Sequence, residues 1–449
     1  MVSPRIANLD QCVSWIVAGA RPQRDFRVGT EYERLLIDAS GTPLPWDGAP
    51  GIRQILETLA TRFDWQVQRE GDRPIALLRD GASVTLEPAG QFELSGAPFA
   101  TITEMRAEMD AHLAEVAEVL APWGAKAVYV GLNPFDTPDS APKMPKDRYD
   151  HMRAWMPTVG GKGLQMMHLT CTVQANLDFD SAADAMSLLR AGFLATPVMI
   201  ALFANSPWRF GADTAMASAR ADLWLDVDPA RCDLGAVAFD PSATVQDYVE
   251  WAADVPLYFV MQERPDGTKG YFAPARHRAT FRQLLADGDR GRAATEDDWA
   301  LHLSTLFPDV RLKRYVEVRG ADCVAPELLP GLPALSFGLL SDRESRAALF
   351  DLMRDGDVSV DRAALRDAAC RDGLAGRAGG FELGELARTC LRLADEGISR
   401  IEARSGVADP EGHAALDRLM AVATGAVPAP WQEVAARLAR TPSLSALVL

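Results

Sequence analysis

Arg27-Val-Gly-Thr-Glu-Tyr-Glu-Arg34 is the stretch whose reading decides the fold class. Side chains along a strand alternate between faces, so Gly29, Glu31 and Glu33 share one face and Val28, Thr30 and Tyr32 the other. Two carboxylates then stand ~6.5 to 7 Å apart on one surface. The device recurs in Ser83-Val-Thr-Leu-Glu-Pro-Ala-Gly-Gln-Phe-Glu-Leu-Ser95, where Thr85 and Glu87, then Gln91 and Glu93, lie opposite Val84, Leu86, Phe92 and Leu94. Read as one strand, 311–319 presents Arg311, Lys313, Tyr315, Glu317 and Arg319 together, placing cations around a carboxylate. A fourth strand offers a neutral polar face of Thr170, Thr172, Gln174 and Asn176, ending in Asp178. Any one of these fits the solvated side of a half-covered sheet. Four of them fit one shared polar sheet surface.

Working outward, strand-like runs fall at 26–37, 82–87, 91–95, 127–131, 169–179 and 312–319, and helical periodicity at 51–63 and 103–120. Met105, Met109, Leu113, Val116 and Leu120 repeat at three- and four-residue intervals, behind a capping-box spacing of Thr101 and Glu104. Leu9, Cys12, Val13, Ile16 and Val17 are also helically spaced, which favours a first amphipathic helix over a signal segment. The order of elements predicts an α+β fold with a mainly antiparallel sheet flanked by helices. Residues 1–340 are expected to form the catalytic core. Residues 341–449, rich in Ala, Arg, Leu, Asp and Glu, are expected to form a helical layer packed on it. The segment 263–270, broken by Pro265 and Gly267, is expected to be a surface turn.

Composition narrows the function. A chain of 449 residues with 48% hydrophobic and 24% charged residues builds a substantial globular core. Lys+Arg 46 against Asp+Glu 62 gives a net charge of −16, which disfavours nucleic acid and anionic membrane surfaces as partners. The 14-residue apolar run 191–204 contains Thr196 and Pro197 and falls short of the ~18 to 20 residues of a membrane span, so a buried core segment is expected. Six cysteines without a CxxC pair read as reduced thiols of a cytoplasmic protein.

If the four polar faces join, Glu31, Glu33, Glu87, Glu93 and Glu317 cluster, and that much like charge calls for cations. Oxygen donors without His or Cys indicate a hard ion, Mg²⁺ or Mn²⁺. Mg²⁺ commonly shares its shell with phosphates, so acids beside Arg311, Lys313 and Arg319 point to a nucleoside triphosphate and phosphoryl transfer. There is no Walker-type phosphate loop, no strand-to-helix G-x-G-x-x-G and no nucleophile motif.

At these residues the chain resembles the glutamate–cysteine ligases of the plant and proteobacterial type. The segments carrying the resemblance are GTEYE (29–33), TLEPAGQFELSGAP (85–98), MPKDRY (144–149), TCTVQANLDF (170–179), ALFANSP (201–207), LWLDVDPAR (223–231), DVPLYFV (254–260) and HLSTLFPDVRLKRYVEVRGAD (302–322). The resemblance implies a glutamine-synthetase-like core in which the sheet curves into a cup, with Mg²⁺–ATP at one end and the amino acids in the cup. It implies ATP-dependent joining of the γ-carboxylate of glutamate to the amine of cysteine, the first step of glutathione synthesis. It also implies Glu31, Glu33, Glu87, Glu93 and Glu317 around metal and Arg319 and Lys313 at the reacting phosphoryl. Lys313 and Arg311 would lie near the nucleotide, with Arg231, Thr170, Gln174 and Asn176 near substrate.

The chain departs from the family pattern at three places. Met166-Met-His-Leu-Thr170 stands where the pattern usually has Met-Met-Phe-Arg-Thr, Gln165 replaces an Asp, and Ala89 replaces a Gly. Losing an arginine at 169 leaves two alternatives open beside glutamate–cysteine ligation: the same machinery with another acid or amine, or an idle paralogue that binds nucleotide or amino acids.

Overall fold

The computed structural model describes residues 3–264, 268–353 and 362–448. The alternating run after Arg27 forms β1 (Val28–Ile37), in the interior of a sheet with nine strands among the described residues. Around it lie β2 (Gln66–Glu70), β3 (Arg73–Arg79), β4 (Ala82–Leu86), β5 (Phe92–Ser95), β6 (Lys126–Val128), β7 (Thr172–Leu177) and an edge hairpin, Val310–Leu312 with Val316–Asp322. From the hairpin inward the order is β7, β1, β5, β4, β3, β2, with β6 on the far end of β1, and every pairing is antiparallel. The expected α+β class with a mainly antiparallel sheet is therefore what the chain adopts.

Register explains why the polar faces meet. Residues directly opposite in an antiparallel pair share a face, and the partners include Glu33 with Glu93, Thr85 with Glu93, Glu31 with Gln174, and Glu317 with both Asn176 and Arg311. The alternate residues Val28, Tyr32, Val173, Ala175, Val316 and Val318 are fully buried in the main core. That core is built with the helices Ile102–Leu120, Ala182–Phe203 and Gly331–Ser336. The expected Thr101–Glu104 capping box starts the helix Ile102–Leu120, and Leu9–Val17 is helical with Cys12 and Ile16 buried. Ala182–Phe203 is long and apolar enough by composition to cross a membrane, yet 83% of its apolar window is buried inside the protein. Leu383–Ser405 crosses the chain just after Gly331–Ser336 so closely that a Cβ on Gly397 would sit 2.0 Å from the Gly338 carbonyl oxygen. One hydrophobic cluster runs from Ile6 to Leu447, so the C-terminal helices share the core of the sheet.

Three local expectations change. Residues 311–319 are a hairpin rather than one strand, turning at Lys313–Tyr315, where Lys313 N–H donates to the Tyr315 carbonyl at 2.8 Å. Arg311 and Glu317 nonetheless stay on one face, because they are cross-strand partners. The strand expected from 169 begins at Thr172, and Gly163–Leu169 is helical. The β2–β3 hairpin, turning at Gly71 with φ +61°, was not expected. The turn expected at 263–270 falls partly on residues 265–267, outside the described residues.

Candidate active site

The polar face lines a chamber of about 500 Å³ that includes Glu31, Glu33, Glu87, Glu93, Gln174, Arg311, Lys313 and Arg319. A second cavity of about 870 Å³ adjoins it, lined by Gly29, Gly96, Asn176, Arg24, Arg27 and Arg314 among others. Glu31, Ser95 and Tyr315 belong to both walls, so the two cavities border one another at a neck of three residues.

The acids divide into two kinds. Glu317 is fully buried and gripped by Arg311, with Nε and Nη2 on its two oxygens at 2.5 and 2.9 Å. Arg319 Nη1 lies 3.1 Å and Lys313 Nζ 3.9 Å from the same carboxylate. Burial alone would raise its pKa, but these three cations hold it well below the usual carboxylate range. The other acids lack such partners. Burial, then repulsion from Glu317 and Glu93, pushes Glu31 up to about 7. Burial and the proximity of Glu87 and Glu93 push Glu33 well up, and burial with Glu87 raises Glu93. Their contacts are to neutral groups: Asn176 Nδ2 donates to Glu31 at 2.8 Å, the Thr172 N–H donates to Glu33 at 3.0 Å, and Thr85 Oγ1 donates to Glu93.

Among the described residues no three His, Cys, Asp or Glu side chains converge on a metal-binding point. Glu31, Glu33 and Glu93 are each turned toward a neutral donor of their own. In donor chemistry Glu31, Glu33 and Glu93, with the half-buried Glu87 beside them, fit a hard divalent cation: oxygen only, mutually repelling and, among the described residues, without an ion pair of their own. Glu317 fits less well, both its oxygens being taken by arginine.

The cations also divide. Arg311 is spent on Glu317 and on the Ser304 and Leu306 carbonyls at 2.9 and 2.7 Å, which makes it a counter-charge rather than a free nucleotide contact. Arg319 reaches Gln174 Oε1 at 2.8 Å and leaves a buried Nε without a partner among the described residues. Lys313 rests 4.7 Å over the Tyr315 ring. Burial, reinforced by Arg311 and Arg319, lowers its pKa.

Several expected positions lie elsewhere. Arg231 is fully buried outside both cavities. It is stacked 3.5 Å from the Tyr258 ring and bonded to Asp228 at 2.9 Å, the Pro256 carbonyl and Thr305, so its guanidinium is engaged with the protein and lines neither cavity. Thr170 ends the helix Gly163–Leu169, and its Oγ1 donates to the Met166 carbonyl at 2.7 Å. Asn176 lines the larger cavity rather than the chamber. Leu169 is buried in an apolar cluster with Ala89, Leu132, Ala141, Ala219 and Leu223, so two departures from the family pattern pack into one patch away from the chamber. His168 is buried with Nδ1 unpartnered among the described residues, and burial lowers its pKa to about 4, which keeps it neutral near pH 7.

Sequence reasoning missed Lys146 and Arg148, which line the chamber beside Glu87 and Glu93. Lys146 Nζ donates to the Leu86 carbonyl at 3.0 Å, and burial followed by Arg148 lowers its pKa to about 8. Their signal was the MPKDRY segment, which lies in a stretch with no periodicity to place it on a face. Phe259, Tyr271 and Phe307 give the chamber an aromatic wall that was also unforeseen.

Residues 27–439 match the Glutamate-cysteine ligase family 2 (GCS2). The chain belongs to this family. It is 38% identical to the chloroplastic glutamate–cysteine ligase of Brassica juncea over 395 residues, which is 87% of this chain and 75% of that protein. The chloroplastic enzyme of Arabidopsis thaliana is also 38% identical, over 87% of this chain and 74% of its own. Among solved structures, a bifunctional glutathione synthetase from Pasteurella multocida superposes with a TM-score of 0.50 at 12% identity. The match covers 98% of this chain and 51% of that one, so the chain spans about half of that structure's length. At that identity the likeness concerns fold alone.

Proposed function

We propose the following division of labour for the activity this family carries, the ATP-dependent joining of the γ-carboxylate of glutamate to the amine of cysteine. The larger cavity takes the nucleotide and directs its phosphates to the neck. The smaller, more charged chamber takes the two amino acids. Size and lining support this assignment: about 870 Å³ with glycine-lined walls and Arg24, Arg27 and Arg314 suits a nucleoside triphosphate, whereas about 500 Å³ with Lys146, Arg148 and an aromatic wall suits two small zwitterions.

A glutamate γ-carboxylate oxygen attacks the γ-phosphorus of ATP, ADP departs, and an acyl phosphate forms. The cysteine amine then attacks the acyl carbon, loses a proton and expels phosphate. Lys313 and Arg319 neutralise charge on the transferring phosphoryl, and Glu317 with Arg311 holds both of them in place. Lys146 and Arg148 attract the carboxylates of the amino acids and hold them close to the neck. Glu31, Glu33, Glu87 and Glu93 would hold Mg²⁺, which when bound would offset phosphate charge.

The single observation that carries the reading is the neck itself, where an under-compensated acid, Glu31, separates two cavities of different size and lining. ADP release by the purified protein, measured across a matrix of acids and amines, tests it. Turnover is expected only when an acid and an amine are both present, with glutamate and cysteine the best pair. ADP formation at full rate from ATP alone would defeat the ligase reading. A different best pair would favour altered specificity, but the burial of Leu169 away from the chamber argues against that.

A further inference from the structure

We propose that Arg220 is a positioning residue that fixes the aim of Arg319 by clipping the backbone of the strand that carries it, an inference that rests on the role of Arg319 given above. The strand Val316–Asp322 is irregular where it matters. Val318 pairs with Ala175 and Ala321 with Val173, so two residues, Arg319 and Gly320, stand opposite the single residue Gln174. A bulge of this kind breaks the ladder and re-aims a side chain, and it leaves backbone groups that the neighbouring strand no longer satisfies. The structure satisfies them from elsewhere. The Arg319 N–H donates to the Asp309 carbonyl at 2.9 Å. Arg220 Nη2 donates to the Arg319 carbonyl at 3.1 Å, and Arg220 Nη1 to the Gly320 carbonyl at 3.3 Å. One guanidinium thus holds both carbonyls of the bulge.

Arg220 is itself held rigidly. It is 2% exposed and lines neither cavity. Its ring neighbour is Trp224, 4.5 Å below the guanidinium, and its counter-ion is Asp322 at 3.7 Å. Asp322 is anchored in turn by the Asn205 N–H and the Ser206 and Ser218 hydroxyls at 2.8, 2.6 and 2.9 Å. The planar fork is what the job requires, because two carbonyls of successive residues need two donors at fixed separation, which a lysine ammonium does not provide. The clip also reaches the acid cluster: Thr172, whose N–H holds Glu33, donates its hydroxyl to the Ala321 carbonyl just past the bulge at 2.7 Å and lies 3.3 Å from the Arg319 carbonyl. Arg220 is therefore placed to set Arg319 relative to both Gln174 and Glu33 without touching substrate.

The test is a double-mutant cycle on the full chain with glutamate, cysteine and Mg²⁺–ATP, reading kcat per folded molecule well below the melting temperature. Arg220→Lys should lower kcat on the order of 10- to 100-fold, with each KM changed by less than about threefold, as expected when a reacting group is misplaced by about an ångström. In an Arg319→Lys background the same change should add less than about twofold, because its effect runs through Arg319. A residue that merely neutralises Asp322 would act equally in both backgrounds. Should Arg220→Lys not fold, the bulge can be pushed from its other side. A Cβ on Gly320 would meet Thr196 Cγ2 at 3.2 Å, so Gly320→Ala should lower kcat, and adding Thr196→Ser, which removes that methyl, should restore it. Full multiplication of the Arg220 and Arg319 effects, or a Gly320→Ala loss that Thr196→Ser leaves unchanged, overturns the clip. An Arg319→Lys variant with normal turnover overturns the role of Arg319 on which the clip depends.

Discussion

Glu317 and Glu93 are carboxylates buried on one face of one sheet, yet they live in opposite electrostatic worlds. Glu317, near the edge hairpin, meets Arg311, Arg319 and Lys313 within 2.5 to 3.9 Å. Glu93, two strands beyond β7, accepts a hydrogen bond from Thr85 and shares its chamber with Lys146, whose ammonium is weakened by burial. The hairpin end has been paid in full by the protein's own arginines, whereas the β1–β5 end keeps a deficit of positive charge that an arriving cation removes. Cost on folding and readiness for a ligand are thus separated along a single surface.

The sharpest way to break the comparison is to neutralise one acid at each end. Glu317→Gln leaves three buried cations facing one another and should lower stability by ~3 to 5 kcal/mol, along with most of the activity. This reverses what treating all five acids alike would predict, namely that removing any one of them relieves repulsion. Glu93→Gln should also abolish most turnover, yet in EDTA it should raise stability by about 1 to 2 kcal/mol. Thermal melts in EDTA with parallel ADP assays decide the matter: equal shifts of the same sign would show that the two ends do not differ.

Leu169→Arg sharpens the same point from outside the site. Position 169 offers a cation only the apolar cluster of Ala89, Leu132, Ala141, Ala219 and Leu223, so the change should cost about 3 kcal/mol and leave KM for glutamate no better. A lowered KM with unchanged melting would mean that residue 169 reaches substrate.

The smallest effect is in pH. Glu31 rises from 4.5 to about 7 on folding. Between those values the unfolded chain has lost a proton that the folded protein retains, so metal-free stability attributable to Glu31 falls as pH rises through that window. Glu317, with its pKa depressed, has the opposite sign, and its contribution is lost only as pH falls below about 4.5. The stability gained by Glu31→Gln over the parent should therefore grow from near zero at pH 4.5 to ~1 to 3 kcal/mol above pH 7. A gain that does not vary with pH would remove the argument that Glu31 is held protonated.

Much of this was legible in the sequence, for a specific reason. A period of two survives folding, so the faces assigned to Glu31, Glu33, Thr85, Glu93, Gln174 and Asn176 are the faces found. The hairpin at 311–319 was misread as one strand without harm, because residues six apart share a face along a strand and Arg311 and Glu317 also share one across a hairpin. Arg231 could not be placed, because a buried arginine that is engaged with the protein and one that grips a substrate carry the same letter. Only the positions of Tyr258, Asp228 and Pro256 distinguish them. Lys146 and Arg148 precede or begin a short polar helix, Asp147–Trp155, whose pattern announces no face. The β2–β3 hairpin escaped because Gln66–Glu70 is largely polar and exposed, with little to mark it as a strand.

The neck of Glu31, Ser95 and Tyr315 carries one more consequence. An acyl phosphate is as vulnerable to water as to an amine, and a pathway that makes one must keep solvent away until its partner arrives. Under the proposed assignment of the two cavities, the energised carboxyl forms at the border lined by these three residues, with spent nucleotide on one side and the waiting amine on the other. On that assignment, the number of ATP molecules consumed per bond made depends on how well Glu31, Ser95 and Tyr315 keep water from that border.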